Sequence, residues 1–134
     1  AGEGLLRAPP IAVSKILDRA HLTLQDFDFY EIHEAFAAQV LATLKAWEDP
    51  AYCRTHLGKD HALGSIDRSK LNVKGSSLAF GHPFAATGAR VLGNLSKLLA
   101  DNGGRGLISV CTAGGMGVAA ILESATRAHI RAAA

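Results

Sequence analysis

No apolar run in this 134-residue chain approaches the roughly 20 residues that a helix needs to cross a bilayer, and its longest such stretches, Leu107 to Val110 and Val118 to Leu122, have the length of strands. A transmembrane helix is therefore excluded. Cysteine is scarce: Cys53 and Cys111 stand alone in dissimilar settings, which argues against a disulfide framework and for a reducing compartment, most simply a bacterial cytoplasm. An excess of charge is missing as well. Fourteen Lys and Arg face 12 Asp and Glu, and a net charge of +2 gives no electrostatic case for nucleic acid. The opening Ala1-Gly2-Glu3-Gly4 lacks both an initiator methionine and the basic, apolar, small-residue order of a secretory signal, so the expectation is a piece of a longer polypeptide. What is present, 49% hydrophobic and 19% charged residues, describes one globular domain long enough to bury a core.

Pro9-Pro10 predicts a helix start, and Val13, Ile16, Leu17 and Ala20 recur at the spacing of one buried helical face, ending near His21. Phe27 to Ile32 alternates as a strand, and a second amphipathic helix is expected from Glu34 to about Trp47 on Phe36, Val40, Leu41, Leu44 and Trp47. Residues 49–71 lose the pattern and read as a surface excursion with room for a short helix. Cys53, His56 and His61 within it have the chemistry of zinc ligands, but they are one short of a structural set and unevenly spaced, so they read as solvated loop residues and no metal is expected. After Gly81-His82-Pro83 a helix is expected with Ala89, Leu92, Leu95 and Leu99 on one face, capped at Asn102-Gly103-Gly104. Two last strands, Gly106 to Cys111 and Gly117 to Leu122, flank Gly114-Gly115 and predict an antiparallel hairpin. Residues 125–134 read as a tail.

Two residues in this layout carry chemistry. Proline after His82 predicts that the ring sits at a helix N-terminus, where the helix dipole and burial both disfavour imidazolium, leaving a neutral base able to take a proton from a thiol. Cys111 ends an apolar strand and enters a glycine-rich turn, where a thiol is held close to backbone N–H groups. Alone, each is more simply a helix-start turn or a core cysteine; together they are expected to meet at the mouth of one crevice. His33 stands at the strand-to-helix junction. Phe36, Phe80 and Phe84 read as packing residues, and His21, His56, His61 and His129 as surface histidines.

Three separated motifs name a family. His33-Glu34-Ala35-Phe36, Gly81-His82-Pro83 with Ala86-Thr87-Gly88-Ala89-Arg90, and Cys111-Thr112-Ala113-Gly114-Gly115-Met116-Gly117 resemble, in order and spacing, the C-terminal domain of the thiolases, over about Gly2 to Glu123. The opening Gly2-Glu3-Gly4-Leu5-Leu6-Arg7-Ala8-Pro9 is similar to the segment entering this domain in 3-ketoacyl-CoA thiolases, and the subtype most similar is the thiolase subunit of fatty-acid β-oxidation trifunctional complexes. Histidine at 33, where most thiolases have asparagine, and alanine at 113, where many have glycine, are variants familiar in that subtype. Ser76 replaces a glycine often found beside Gly75.

The resemblance implies an α/β half-fold over residues 1–134, with a mixed sheet of about four or five strands and helices on both faces. It implies an acyltransferase that needs no cofactor and takes CoA thioesters, cleaving 3-ketoacyl-CoA to acetyl-CoA and a shortened acyl-CoA. His82 would activate the nucleophilic cysteine and the incoming CoA thiol, and Cys111 would serve as the acid/base toward the acetyl-CoA carbanion. His33, through a water, would join His82 at one oxyanion, and the Ala113 N–H would face the other. The nucleophile itself belongs to the family's N-terminal domain, so this chain alone is expected to be inactive and to require that domain, a homo-oligomer and, in trifunctional assemblies, a hydratase/dehydrogenase subunit. A ketoacyl synthase relative is the alternative enzyme, which the Cys111 motif opposes; a non-catalytic dimerisation or docking module is the alternative outside enzymes.

Overall fold

The structure, a computed structural model, describes residues 7–125. The family-like opening before Arg7, His129 and all but the first residue of the expected tail lie outside the described residues. The first helix, α1 (Ala8–Ala20), carries Pro9 and Pro10 in its first turn, where their missing N–H groups cost nothing, and closes on His21 in the left-handed conformation. Val13 and Leu17 are buried on its inner face, and Ala20, expected there too, is exposed.

Strand β1 (Phe29–Ile32) pairs in parallel with β2 (Arg105–Thr112), which turns back as β3 (Met116–Glu123). Parallel pairing demands a long crossover. Here it holds α2 (Ala37–Glu48), α3 (Pro50–Tyr52) running into a π-turn at Cys53–Leu57, a 3₁₀ turn at Arg68–Lys70, α4 (Ser77–Phe80) and α5 (Thr87–Asn102). Alternation along the strands separates two cores. Tyr30, Ile32 and Leu107 face α1 and α2, packing with Val13, Leu17, Val40, Leu44 and Trp47. Phe29, Ile108 and Val110 face α5, packing with Val91, Leu95 and Leu99.

The sheet has three strands among the described residues, in the order β1-β2-β3, not the four or five expected. A further strand begins and fails on the open edge of β1. Leu71 makes one parallel bridge to Tyr30, after which Asn72 turns left-handed at φ 48° and its side chain takes over the pairing. The Asn72 amide accepts from the Ile32 N–H at 2.8 Å and donates to the Ile32 carbonyl at 3.0 Å, covering the edge that a fourth strand would have occupied.

Other boundaries move for local reasons. Helix α2 starts at Ala37, not Glu34, because the Glu34 carboxylate is held by Asn72 Nδ2 at 2.8 Å and by the Leu78 N–H at 3.0 Å, in the first turn of α4. Leu41 on α2 is exposed. The stretch 49–71 is less solvated than its composition suggests: Tyr52, Cys53 and Ile66 are buried, the Cys53 thiol lying 3.5 Å from the Ala46 carbonyl. The largest revision concerns three aromatics. Phe36, Phe80 and Phe84 are not packed in either core but stand 63%, 62% and 86% exposed, with Leu78, Met116 and Val118 also open to solvent.

Candidate active site

A parallel strand pair delivers the residues that follow it to one edge of the sheet. His33 comes directly after β1, its N–H donating to the Ser109 carbonyl of β2 at 2.9 Å, and Cys111 lies two residues further along β2 at the same edge. His82 reaches this edge from the loop between α4 and α5. The rings of His33 and His82 stack at a tilt, their centroids 4.3 Å apart.

His82 does not open the helix as its sequence context predicts. Residues 83–86 form a turn in which Ala85 takes φ 65°, and α5 begins only at Thr87. His82 is exposed rather than buried, and it stands ahead of the helix rather than in its first turn. Its environment is set instead by a hydroxyl. His82 Nδ1 lies 2.7 Å from Thr87 Oγ1, which lies 3.2 Å from the Pro83 carbonyl. A hydroxyl has one hydrogen, and both contacts are hydrogen bonds only when Thr87 donates to Pro83 and His82 Nδ1–H donates to Thr87. In the neutral ring this arrangement leaves Nε2 of His82 with a free lone pair.

His33 is 2% exposed, and burial, then the neighbouring His82 and Arg90, hold its pKa below the ordinary imidazole value despite the opposing Glu34. Its Nδ1 is 2.8 Å from Ser77 Oγ, and Arg90 Nη2 donates to the same oxygen, also at 2.8 Å. Behind Arg90, on the α5 side of the sheet, Glu31 is buried to 1% exposure. Burial pushes its carboxyl up to about 7, with Arg90 opposing. Among the described residues neither Glu31 oxygen, nor Nε or Nη1 of Arg90, has a hydrogen-bond partner, a rare condition for buried polar groups.

Cys111 is buried, and burial raises its thiol pKa, so the group holds its proton more firmly than an exposed cysteine. It shares strand parity with Leu107 and Ser109, on the α1 side, whereas Glu31, Ser77 and Arg90 gather with His33 on the α5 side. The structure therefore brings His33 and His82 into contact, with Cys111 near the end of the neighbouring strand β2; the expected meeting of its thiol with His82 is not among the contacts of the described residues, its sulfur being hydrogen-bonded to neither ring. Ala113 opens the exposed turn after β2, ahead of Gly114 and Gly115, whose φ values of 83° and 76° only glycine adopts without strain. Cys53, His56 and His61 are separate from this edge, and no group of three or more potential metal ligands occurs among the described residues.

Residues 2–124 match the family model described as the thiolase C-terminal domain. The chain belongs to that family. The thiolase domain is 48% identical over 123 residues to the 3-ketoacyl-CoA thiolase of Alteromonas mediterranea, covering 91% of this chain and 28% of the relative, and 48% identical over 122 residues to that of Yersinia pestis, with 90% and 28% covered. It superposes on the peroxisomal 3-ketoacyl-CoA thiolase of Saccharomyces cerevisiae with a TM-score of 0.71 and 35% identity, over 90% of this chain and 29% of that one. Human mitochondrial 3-ketoacyl-CoA thiolase gives a TM-score of 0.71 at 34% identity, over 89% and 26%. The chain thus spans little more than a quarter of the length of the relatives it matches.

Glu31, Ser77, Thr87 and Arg90 carry no role in the sequence reading, although Arg90 and Thr87 lie inside a recognised motif. A signal existed only for Glu31, an acidic residue within an otherwise apolar strand pattern.

Proposed function

We propose that the chain is the C-terminal half of a 3-ketoacyl-CoA thiolase of fatty-acid β-oxidation, working in a bacterial cytoplasm and supplying the proton-handling side of the acyl transfer. The observation that carries this reading is the His33–His82 pair at the edge where Cys111 lies near the end of β2. The nucleophilic cysteine comes from an N-terminal half. Its thiol loses a proton to Nε2 of His82, and the thiolate attacks the keto carbon of a 3-ketoacyl-CoA. The bond between the keto carbon and C2 breaks, leaving its electron pair on the acetyl-CoA fragment, and the Cys111 thiol gives that carbon a proton. A raised thiol pKa suits this donor role, because the group must arrive protonated. The His82 imidazolium returns its proton, through solvent, to the Cys111 thiolate; His82 then deprotonates an incoming CoA thiol, whose thiolate takes the acyl group from the nucleophile, and the departing cysteine thiolate recovers that proton from His82. His33, through a water and together with His82, supports one oxyanion, and the backbone N–H of Ala113 faces the other, each such donor lowering the barrier by about 3–4 kcal/mol.

The Cys111 thiol and the His82 ring must reach one substrate at the shared end of β1 and β2, and a separation too great for that contradicts the reading. The exposed Phe36, Leu78, Phe80, Phe84, Met116 and Val118 suit a surface that the N-terminal half covers, and such patches favour association. That same patch favours the alternative of a docking module that only assembles with a thiolase, a second copy or a hydratase/dehydrogenase subunit. The two readings separate when this chain replaces the C-terminal domain of the Alteromonas mediterranea relative. The enzyme reading predicts thiolysis of acetoacetyl-CoA by the chimera and none by the 134-residue chain alone. An assembled chimera without turnover establishes the module, and turnover by the isolated chain refutes the division of the site between halves.

A further inference from the structure

A neutral histidine acts as donor or acceptor according to which nitrogen holds its single proton, and around His33 the neighbours decide this. Ser77 is 6% exposed, and its hydroxyl contacts two groups, Arg90 Nη2 and His33 Nδ1, each at 2.8 Å. A guanidinium has hydrogens and no lone pair to offer, so Arg90 can only donate, and it occupies one lone pair of Ser77 Oγ. The serine hydrogen then has one acceptor in reach, His33 Nδ1. Were Nδ1 protonated, two donors would point at Ser77 Oγ and the buried serine hydrogen would have no acceptor among the described contacts. Burial supplies the other condition, because a ring held below its ordinary pKa is neutral and has a tautomer to choose.

We propose that Arg90, acting through the Ser77 hydroxyl, fixes His33 with its proton on Nε2, so that His33 meets substrate or water as a hydrogen-bond donor beside the lone pair that His82 presents. Arg90 and Ser77 are positioning residues, and the stacked imidazoles are held in opposite tautomers by two different hydroxyls, Ser77 and Thr87. The value of this arrangement for acyl transfer rests on the function proposed above: an Nε2–H supports a developing oxyanion and an Nε2 lone pair takes a thiol proton. The tautomer itself does not depend on that function.

The test is therefore a spectroscopic one that needs no turnover. Long-range proton–nitrogen correlation spectra of the ¹⁵N-labelled 134-residue chain near pH 7.5 report each ring nitrogen as bare or protonated. For His33, a bare Nδ1 and a protonated Nε2 are expected, and the reverse pattern or an imidazolium overturns the proposal. Ser77→Ala and Arg90→Met should move His33 toward a tautomer average, and Ser77→Thr should restore the native pattern. A His33 pattern unchanged in a folded Arg90→Met chain overturns the role of Arg90, and one unchanged in Ser77→Ala overturns that of the hydroxyl. Because the native chain is itself diagnostic, a variant that does not fold leaves the test intact. A thiolysis-inactive chimera would refute the function while leaving the tautomer where these spectra find it.

Discussion

Glu31 is the residue whose surroundings differ most from what its chemistry prefers. With its carboxyl raised from 4.5 to about 7 in the fold, the protonated form is favoured by folding. The stability this contributes is fully present below about pH 4.5 and is lost as pH rises through about 7, a change on the order of 3 kcal/mol. Urea unfolding of the native chain and of Glu31→Gln across this range should therefore diverge, the variant losing less stability as pH rises; parallel profiles would contradict the assignment. Cys111 yields a second expectation. As a buried thiol with a raised pKa it should be alkylated by iodoacetamide more slowly at pH 7 than in the urea-unfolded chain, and faster as pH rises, as followed by peptide mass spectrometry. Modification at the unfolded rate would contradict this. At this scale the sequence singled out His82, between a glycine and a proline, Cys111, ahead of a glycine-rich turn, and His33, at a strand-to-helix junction. It showed Glu31 only as an acid in an apolar strand and concealed Ser77 and Arg90, because only the crossover brings a strand, a four-residue helix and the first turns of α5 together.

At the scale of elements, the periodic helices α1 and α5 and the hairpin of β2 and β3 were legible, since each repeats an apolar face against one core. The junctions were not. A histidine followed by proline looks like a helix start, yet the chain spends another turn, with Ala85 left-handed, before α5 begins. Asn72 replaces a strand with a side chain, which no pattern of hydrophobicity reports. Asn72→Ala should cost about 1–3 kcal/mol by leaving the Ile32 N–H unpaired at the sheet edge and its carbonyl with only the 3.4 Å bond from Ser76 Oγ, as read from denaturant midpoints; a loss below about 0.5 kcal/mol would show that the edge is satisfied otherwise. Gly117 marks another close approach. A Cβ there would lie 2.7 Å from the carbonyl carbon of Ala8, a backbone atom that cannot swing aside, so Gly117→Ala should destabilise by about 1–3 kcal/mol and displace the start of α1 from β3. An unchanged thermal midpoint would contradict that packing.

At the scale of the molecule, the domain carries a built polar edge and a surface of exposed aromatics beside it, the surface proposed above to meet an N-terminal half. The reading of Phe36, Phe80 and Phe84 as packing residues failed in this structure because a sequence shows that a residue is apolar but not whether anything covers it. The proposed division of labour is that His82 serves every thiol proton transfer, whereas Cys111 serves only the carbon. One comparison in the chimera separates these duties. Exchange of labelled CoA into acetyl-CoA requires transfer of an acetyl group between thiols and no carbon protonation, whereas thiolysis of acetoacetyl-CoA requires both. Cys111→Ala should lower thiolysis by about 100- to 10,000-fold while CoA exchange persists, and His82→Ala should abolish both. Thiolysis that survives the loss of Cys111, or an exchange rate that falls with it in equal measure, would contradict the account.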